Sequence, residues 1–482
     1  MRQPGISQEG GFTLPVPSGV DQNKPSVSIV GMGYVGLATA VCLASFGFRV
    51  YGVEIDEKKR AAIQGGSSPI HEQGIDEALR NCIQNGTFSC TSDARKAVGD
   101  SDVTFVTVGT PSRPDGSIDL KYIEAAVSEI GNAIREKNGY HLVVVKSTVV
   151  PGTTMGRIKQ VLESSSGKRH PQDFGLCVNP EFLREGTAIE DTLRPDALII
   201  GAEDEKSSDS LLGLYESLYG KESLPHTLVT QTPNAEFVKY SVNTFRAVQL
   251  SFLNLLANLC EKIPSADVAE VVSGLSAVTK IDQRYLQAGF GYGGSCLPKD
   301  LRALTTLFQD NGIEPTLLVS AAGVNQLQPL RAIELAKRFL GRLDGARIAV
   351  LGLAFKANTD DVRESVAISM VSEFVARGAL VRVYDPRGME NAKRVLRDSV
   401  TYAESAVSCL EGAECCVIAT EWKEFNQIPV SAFKEMMRTP IIIDGKRILD
   451  TTTFEREGVL VYELGRHSDT KDLQLHVESI NA

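Results

Sequence analysis

The chain has 482 residues, of which 43% are hydrophobic, and this length is enough for two or three domains with sizeable cores. Its net charge is −10 and it has no basic run, which argues against nucleic acid as a partner. No run of about 18 apolar residues occurs, so no membrane span is expected. The nine cysteines show neither metal-ligand spacing nor a disulfide framework, which predicts a chain without a metal site in the reducing cytoplasm.

The two ends of the chain are polar. Residues 1–25 lack the apolar core of a signal peptide and predict a flexible extension, and residues 466–482 predict a frayed tail. Between these ends, the changing pattern of apolar runs predicts three domains, with boundaries at 26–225, 226–338 and 339–465.

A glycine-rich motif follows the first β-prone run of the chain. Residues 26–30 are β-prone, G-x-G-x-x-G follows at 31–36, and a helix-like segment covers 37–45. In this order the glycines permit a tight turn and let a pyrophosphate approach backbone N–H groups at the start of the helix. The motif therefore predicts a dinucleotide-binding site. The residues expected to hold the cofactor there are Gly31, Gly33, Tyr34, Val35 and Gly36.

An acidic residue ends the next predicted strand, residues 48–54. Glu54 lies about 20 residues beyond the glycines, where a carboxylate is expected to bind the ribose hydroxyls. Because a carboxylate repels a 2′-phosphate, Glu54 favours NAD over NADP as the cofactor. Lys59 is a further candidate for the adenosine side of the cofactor, and an ordinary solvated lysine on a helix is an equal alternative.

Two further buried strands are predicted at 103–108 and 142–148. Strands that alternate with helices in this way predict a parallel sheet, and such sheets bind ligands at the carboxyl ends of their strands. Thr110, Ser147 and Thr148 are therefore expected to face the cofactor.

The pattern changes twice beyond this region. Long helices are predicted from residue 232 to about 334, and a second alternation of strands and helices begins at 346 without the full glycine motif. That second part could bind a substrate nucleotide, and a purely structural role is the alternative. The predicted fold class is α/β, with two Rossmann-like doubly wound parallel-sheet domains joined by a central helical region.

A second glycine-rich loop carries a cysteine. Residues 289–300 read GFGYGGSCLPKD, so that four glycines precede Cys296 and an acid, Asp300, follows four positions later. A helix that begins near Pro298 would help to stabilise a thiolate through its N-terminal dipole. Taken alone, the loop is equally typical of a structural turn with an inert cysteine.

Seven motifs lie in a fixed order along residues 27–450. They are GMGYVGL at 31–37, VGTP at 108–111, KSTVVPGT at 146–153, NPEFLREG at 179–186, KYSVN at 239–243, GGSC at 293–296 and FKANTDDVRES at 355–365. Together they resemble the nucleotide-sugar dehydrogenase family, most closely the UDP-glucose 6-dehydrogenases.

The resemblance implies an NAD-dependent, four-electron oxidation of a sugar C6 alcohol to a carboxylic acid. Cys296 would trap the aldehyde as a thiohemiacetal and then carry a thioester. Lys239 and Asn243, one helical turn apart, would stabilise an oxyanion. The resemblance also implies that three residues activate or hold water: Asp300, Glu181 and Thr148.

The resemblance also implies residues that bind the two small molecules. Glu181 and Glu185 would lie one turn apart if their segment is helical. The further cofactor-binding residues are Thr110, Thr148, Glu185, Lys299 and Arg363. The substrate-binding residues are Glu181, Phe182, Leu183, Glu185, Lys239, Asn243, Lys280, Tyr292, Gly293, Phe355, Lys356 and Arg447.

The substrate and the assembly state are further implications. The spacing from Lys280 to Gly289 favours UDP-glucose, whereas Leu297 is more typical of enzymes that act on GDP-mannose, which is the alternative substrate. A non-catalytic nucleotide-sugar-binding regulator is a third hypothesis, against which the intact Cys296 and Lys239 argue. Family members pair through the central helical region, which predicts a homodimer or a higher homo-oligomer. The apolar run at 237–259 is expected to have no broad exposed side.

Overall fold

The fold is given by a computed structural model, which describes residues 14–467. The chain divides into two compact units, one extending to Val242 and the other beginning at Asn243. The division falls within the longest helix, Thr232–Cys260. Among the described residues, no helix combines the length and apolar character needed to cross a membrane.

The first unit is built on an eight-stranded sheet with the strand order β3-β2-β1-β4-β5-β6-β7-β8. The first six strands of this order are parallel and follow the Rossmann arrangement. The strands are β1 (Val27–Val30), β2 (Val50–Val53), β3 (Phe88–Thr91), β4 (Val103–Val106), β5 (Leu142–Val145), β6 (Gly175–Val178), β7 (Ala197–Ala202) and β8 (His226–Thr230).

One strand differs from the predicted all-parallel sheet. β7 runs antiparallel to β6, and β8 then pairs with β7 in parallel. The segment between β6 and β7 contains one short helix, Ala188–Leu193, rather than the full helical crossover that a parallel connection requires.

Helices surround this sheet, which explains why β1, β4, β5 and β6 are fully buried and mostly apolar. A π-helical turn, Thr154–Ile158, and a 3-10 turn, Lys221–Ser223, accompany them. The helices are α1 (Tyr34–Ser45), α2 (Glu57–Gln64), α3 (Ile75–Gln84), α4 (Ala94–Gly99), α5 (Lys121–Arg135), α6 (Lys159–Ser166), α7 (Ala188–Leu193) and α8 (Glu205–Tyr219).

The part of the N-terminal extension that the structure describes is packed against the first unit. Leu14 is buried in the core that also holds Phe48, and the Asp21 amide donates to the Gly47 carbonyl at 2.8 Å. Lys24 donates to the Phe46 carbonyl at 2.6 Å. The prediction of a flexible extension is therefore wrong for residues 14–25, because an apolar side chain anchors them. Residues 1–13 and 468–482, which include most of the predicted tail, lie outside the described part.

The second unit begins within a group of long helices. The first of the long helices predicted from residue 232 is α9, which places Lys239 and Asn243 one turn apart. A 3-10 turn, Gln283–Tyr285, precedes the cysteine loop. The helices of this region are α9 (Thr232–Cys260), α10 (Val268–Thr279), α11 (Leu297–Asp310), α12 (Thr316–Leu327) and α13 (Leu330–Leu340).

A second parallel sheet follows, with the order β11-β10-β9-β12-β13-β14, so that it repeats the Rossmann arrangement. The strands are β9 (Arg347–Leu351), β10 (Leu380–Tyr384), β11 (Thr401–Tyr402), β12 (Cys415–Ile418), β13 (Ile441–Asp444) and β14 (Leu460–Glu463). The helices are α14 (Val366–Ala376), α15 (Met389–Leu396), α16 (Ala406–Cys409), α17 (Lys423–Asn426), α18 (Val430–Met436) and α19 (Thr451–Arg456). The predicted fold class is confirmed.

Candidate active site

The first glycine motif forms the turn between β1 and α1. Gly31 has a φ of +102°, which favours glycine, and a Cβ at Gly36 would lie 1.9 Å from the Gly31 carbonyl oxygen. A Cβ at Gly33 would meet nothing within 4 Å, so the backbone faces open space directly before Tyr34, the first residue of α1. The turn therefore leaves room for a phosphate group at the N-terminus of a helix.

Glu54 lies at the carboxyl end of β2 and is buried. Its Oε1 accepts a hydrogen bond from the Asp56 amide at 2.9 Å, and its Oε2 lies 3.4 Å from the Met32 amide within the glycine turn. These contacts fix the carboxylate beside the turn, as the sequence predicts for a ribose ligand. Lys59 lies in the first turn of α2 with an exposed side chain.

The ends of β4 and β5 are tied together by side chains. The Thr110 hydroxyl donates to the Thr148 carbonyl at 2.8 Å, and the Ser147 hydroxyl donates to the Val108 carbonyl at 2.7 Å. Both threonines lie beyond the carboxyl ends of their strands, at the edge where parallel sheets bind ligands.

A buried ion pair joins α9 to the loop after β6. Lys239 Nζ lies 2.9 Å from Glu181 Oε1 and donates to the Glu181 carbonyl at 2.6 Å, and the two side chains are 5% and 10% exposed. The other carboxylate oxygen of Glu181 accepts the Leu183 amide at 2.7 Å. Burial raises the pKa of Glu181, but the charge and hydrogen bond of Lys239, the Leu183 amide and the Lys146 charge together lower it further, so that the pKa lies below its usual value.

The loop that contains Glu181 and Glu185 is not helical. Residues 181–184 have no regular secondary structure, Gly186 has a φ of +84°, and α7 begins only at Ala188. The condition under which the two glutamates would lie one helical turn apart is therefore not met. The physical reason is local, because the Glu181 carboxylate accepts a hydrogen bond from the Leu183 amide of the same loop.

Phe182 lies below Lys239, whose Nζ is 5.4 Å from the ring centroid.

The cysteine loop is held by amide side chains from two helices. The Tyr292 backbone exchanges two hydrogen bonds with Asn325 of α12, at 2.8 and 2.9 Å, and the Gly289 amide donates to Asn254 of α9 at 2.9 Å. Gly293 has no room for a side chain, since a Cβ would lie 2.2 Å from the Glu364 carbonyl oxygen. The glycines thus serve close packing of the loop against the segment after β9.

Cys296 is an exposed thiol at the N-cap of α11. One turn into this helix, the buried Asp300 accepts hydrogen bonds from Asn243 Nδ2 at 2.6 Å and from Lys299 Nζ at 2.5 Å. The 14-residue helix directs its N-terminal dipole toward the thiol, an arrangement that favours a thiolate. The structure therefore brings together the predicted Cys296, Asp300, Asn243 and Lys299.

The motif at 355–365 contacts this loop through Phe355 and through the Arg363 carbonyl, which accepts a hydrogen bond from the Gly294 amide at 3.0 Å. The Phe355 ring packs on Gly294, whose Cβ would lie 2.8 Å from it, and Lys356 Nζ is 5.8 Å from the ring centroid. Arg363 makes a bidentate ion pair with Asp361, with a shortest distance of 2.6 Å, although its side chain is largely exposed.

The structure does not test the substrate-binding role of two residues, Arg447 and Lys280, and this role stays a prediction. Arg447 donates to Asp267 at 2.8 Å and to the Leu464 carbonyl at 3.0 Å. Lys280 is exposed and ends α10 with a φ of 62°.

Sequence reasoning assigned no role to two buried charged residues of the first unit. Glu236, on α9, accepts the Gly152 and Thr154 amides at 2.5 and 2.9 Å and so fixes the turn after Thr148. Lys146, at the end of β5, donates to Asn179 Oδ1 at 2.8 Å. A lysine placed directly after an apolar strand is a signal that could have identified Lys146, since such a position is buried.

The fold and these residues define a dinucleotide-dependent oxidoreductase, and three stretches of the chain match the domains of one family. Residues 25–219 match the NAD binding domain of the UDP-glucose/GDP-mannose dehydrogenase family, residues 233–327 its central domain and residues 349–451 its UDP binding domain. The chain belongs to this family. Its cofactor is NAD, and the UDP binding domain supports a nucleotide sugar as its small-molecule partner.

Individual relatives match over almost the whole chain. A UDP-glucose 6-dehydrogenase of Haloferax volcanii is 40% identical over 90% of this chain and 98% of its own length. One of Bacillus subtilis is 36% identical over 92% of this chain and 98% of its own. The solved structure of a UDP-glucose dehydrogenase from Pyrobaculum islandicum is 38% identical, with a TM-score of 0.84 over 94% of this chain and 100% of that one.

We expect Glu54 to set the cofactor preference. A carboxylate accepts the ribose hydroxyls and repels a 2′-phosphate, so kcat/KM should favour NAD over NADP by at least about 1–3 kcal/mol. The Glu54→Gln variant should reduce this ratio, whereas Glu57→Gln, a change at an exposed residue of α2, should not. Equal kcat/KM values for the two cofactors in the unmodified protein would contradict this role of Glu54.

Proposed function

We propose that this protein oxidises the C6 alcohol of UDP-glucose to the carboxylic acid, and that Cys296 carries the reaction covalently. The observation that supports this most directly is an exposed thiol at the start of α11, one turn from the buried Asp300–Asn243 pair. A binding module has no use for a nucleophile in this setting, which argues against the non-catalytic alternative.

The chemistry proceeds in two oxidations. NAD, when bound, takes up one hydride in each oxidation, which accounts for the four electrons. The residues suited to hold it are the backbone of the turn at 31–36 and Glu54, because the turn has open space at Gly33 and a carboxylate beside it. Thr110, Lys59, Glu185, Lys299 and Arg363 are proposed as further contacts of the cofactor.

Cys296 does the covalent work in this proposal. After the first oxidation, the thiolate attacks the aldehyde carbon and forms a C–S bond, which gives a thiohemiacetal and prevents release of the aldehyde. Oxidation of this adduct leaves a thioester. Water then adds to the thioester carbonyl, the C–S bond breaks, the carboxylic acid is released and the Cys296 thiol is regenerated.

The remaining residues of the proposal stabilise charge and direct water. Lys239 and Asn243 lie on one helix, one turn apart, and are suited to stabilise an oxyanion by donating hydrogen bonds to it. Asp300 is buried as an acceptor and is proposed to orient or deprotonate water. We propose that Thr148 and Glu181 hold that water. The residues proposed to bind the sugar nucleotide besides these are Phe182, Leu183, Glu185, Lys280, Tyr292, Gly293, Phe355, Lys356 and Arg447.

We propose UDP-glucose because the relatives described above are named as dehydrogenases of UDP-glucose. They match this chain over nearly its whole length. Leu297 favours the alternative, GDP-mannose. A substrate panel of UDP-glucose, GDP-mannose and UDP-N-acetylmannosamine, followed by NADH absorbance, tests the choice. We expect kcat/KM to be highest for UDP-glucose, and a higher value for GDP-mannose would make GDP-mannose the substrate instead.

We also propose a cytoplasmic location, with which cysteines that are free thiols are compatible.

The homodimer remains a proposal, which the exposed face of α9 supports. Phe245, Phe252 and Leu259 are 52–60% exposed and recur at seven-residue intervals on one side of the helix. This helix is therefore not buried wholly within its own chain, and the expectation that it has no broad exposed side holds only with a partner on this face. A contiguous apolar face of this kind is normally covered by a partner, and a second copy provides one through the same surface.

Light scattering at micromolar concentration should therefore give at least twice the chain mass of 52.1 kDa. Phe252→Asp should split the dimer, because it places a charge in the apolar contact. Val395→Asp, the same kind of change at an exposed apolar residue of α15, should leave the mass unchanged. A fully active monomer would contradict the dimer.

A further inference from the structure

Lys146 is a buried lysine to which the proposed reaction assigns no role. It follows the last residue of β5, and its side chain has almost no exposure. Nζ donates to Asn179 Oδ1 at 2.8 Å and lies 3.5 Å from the Asn179 carbonyl oxygen. A buried ammonium is costly unless it has a hydrogen bond and a compensating charge nearby, so its position calls for a physical reason.

Asn179, the acceptor, is itself held rigidly. Its Nδ2 donates to the Ile199 carbonyl at 2.9 Å, its Oδ1 accepts the Tyr215 hydroxyl, and its backbone amide donates to the Val145 carbonyl. Lys146 is therefore anchored at the first residue of the loop that carries Glu181. Through Asn179, it fixes where that loop leaves β6.

Two ammonium charges act on the Glu181 carboxylate. Lys146 and Lys239 are both buried lysines, and both favour the ionised form of Glu181. Burial lowers the pKa of Lys146 to about 8, Glu181 opposes this shift, and Lys239 adds to it. The Lys239–Glu181 pair is neutral by itself, and a neutral pair is a weak stabiliser of negative charge. With Lys146 protonated, the group of three carries one net positive charge.

We propose that Lys146 is a positioning residue that, through Asn179, holds the loop of Glu181 in place beside Lys239 and leaves the group with the positive charge that stabilises an oxyanion. This inference rests on the proposed function, because the oxyanion is that of the sugar carbon under oxidation. Lys146 acts through Asn179 and Glu181, and a preorganised charge in a water-excluded site has a larger effect than the same charge in water.

Substitution of Lys146 tests this proposal. Lys146→Met removes both the charge and the hydrogen bond, and Lys146→Gln removes the charge but retains a donor for Asn179. We expect both variants to lose about tenfold to 100-fold in kcat, with much smaller changes in KM for NAD and the nucleotide sugar. Lys137→Met is the control, since Lys137 is a half-buried lysine that donates to the Val98 and Gly99 carbonyls instead.

The pH profile of kcat separates an electrostatic role from a merely structural one. Lys146 loses its charge as the pH rises through about 8, so kcat of the unmodified enzyme should fall on that alkaline side. In Lys146→Gln this alkaline limb should be absent or displaced. The charged groups that act on Lys146 are Glu181, from the loop after β6, and Lys239, from α9, while Asn179 and Tyr215 are neutral neighbours.

Three results would overturn the inference. The first is an unmodified enzyme without an alkaline limb, a measurement that needs no variant to fold. The second is a folded Lys146→Gln enzyme with normal kcat, and the third is an unchanged limb in that variant. If the unmodified protein forms no NADH from any nucleotide sugar, the proposed function fails first and the inference with it, so the two failures are distinguishable.

Discussion

The Cys296→Ser variant should lose acid formation by at least about 10³-fold while it continues to bind NAD. A hydroxyl ionises far less readily than a thiol and is a poorer leaving group at the stage where water releases the product. An ester adduct on the introduced serine should therefore accumulate, and mass spectrometry of the intact chain should detect it. Cofactor binding, followed by protein fluorescence, should remain close to that of the unmodified protein.

Cys90→Ser is the matched control for this experiment. Cys90 is another cysteine that is not fully buried, but it lies on β3, and burial together with the Glu54 charge raises the pKa of its thiol to about 11. It should therefore be unreactive, and its serine variant should have normal turnover. Near-normal acid formation by Cys296→Ser would mean that a different residue carries the sugar.

Lys239→Met should lower kcat by about 10²–10³-fold, the effect of removing one oxyanion donor from a preorganised site. Lys239 also donates to Glu181 at 2.6 and 2.9 Å, so its loss leaves a buried carboxylate with less compensation. We therefore expect a lower melting temperature as well. Steady-state kinetics and a thermal melt of the same preparation separate the two effects.

Lys262→Met provides the comparison, because Lys262 is an exposed lysine just beyond the end of α9. It should change neither kcat nor the melting temperature. A Lys239→Met enzyme with normal kcat but a lowered melting temperature would assign Lys239 to stability alone, and would contradict its role in the oxidation.

The fold could be predicted largely from the sequence because buried parallel strands are short apolar runs with turn residues at their ends. The predicted strand at 103–108 contains β4, and that at 142–148 contains β5. The antiparallel β7 could not be predicted in this way, since its direction depends on the path of the connection from β6. The packing of Leu14 depends on a tertiary contact, which a polar N-terminal segment does not reveal.

The candidate site was less accessible to sequence reasoning. The cysteine loop was recognisable because its glycines are required by close packing, as at Gly293 against the Glu364 carbonyl. The relation of Glu181 to Glu185 could not be predicted from their spacing, because their segment is a loop. In this loop the Glu181 carboxylate accepts a hydrogen bond from the Leu183 amide. Lys146 was identified only as part of a motif, since its role depends on residues far apart in the sequence.

The covalent oxidation of a sugar alcohol to an acid is the central claim, and the number of NADH molecules formed per sugar nucleotide tests it most directly. Complete conversion of a limiting amount of UDP-glucose should give two NADH for each UDP-glucose, with the acid as product and no free aldehyde, because each oxidation yields one hydride and Cys296 retains the intermediate. Absorbance at completion and a carbonyl-trapping reagent measure both quantities. One NADH for each UDP-glucose, with aldehyde released, would contradict the account.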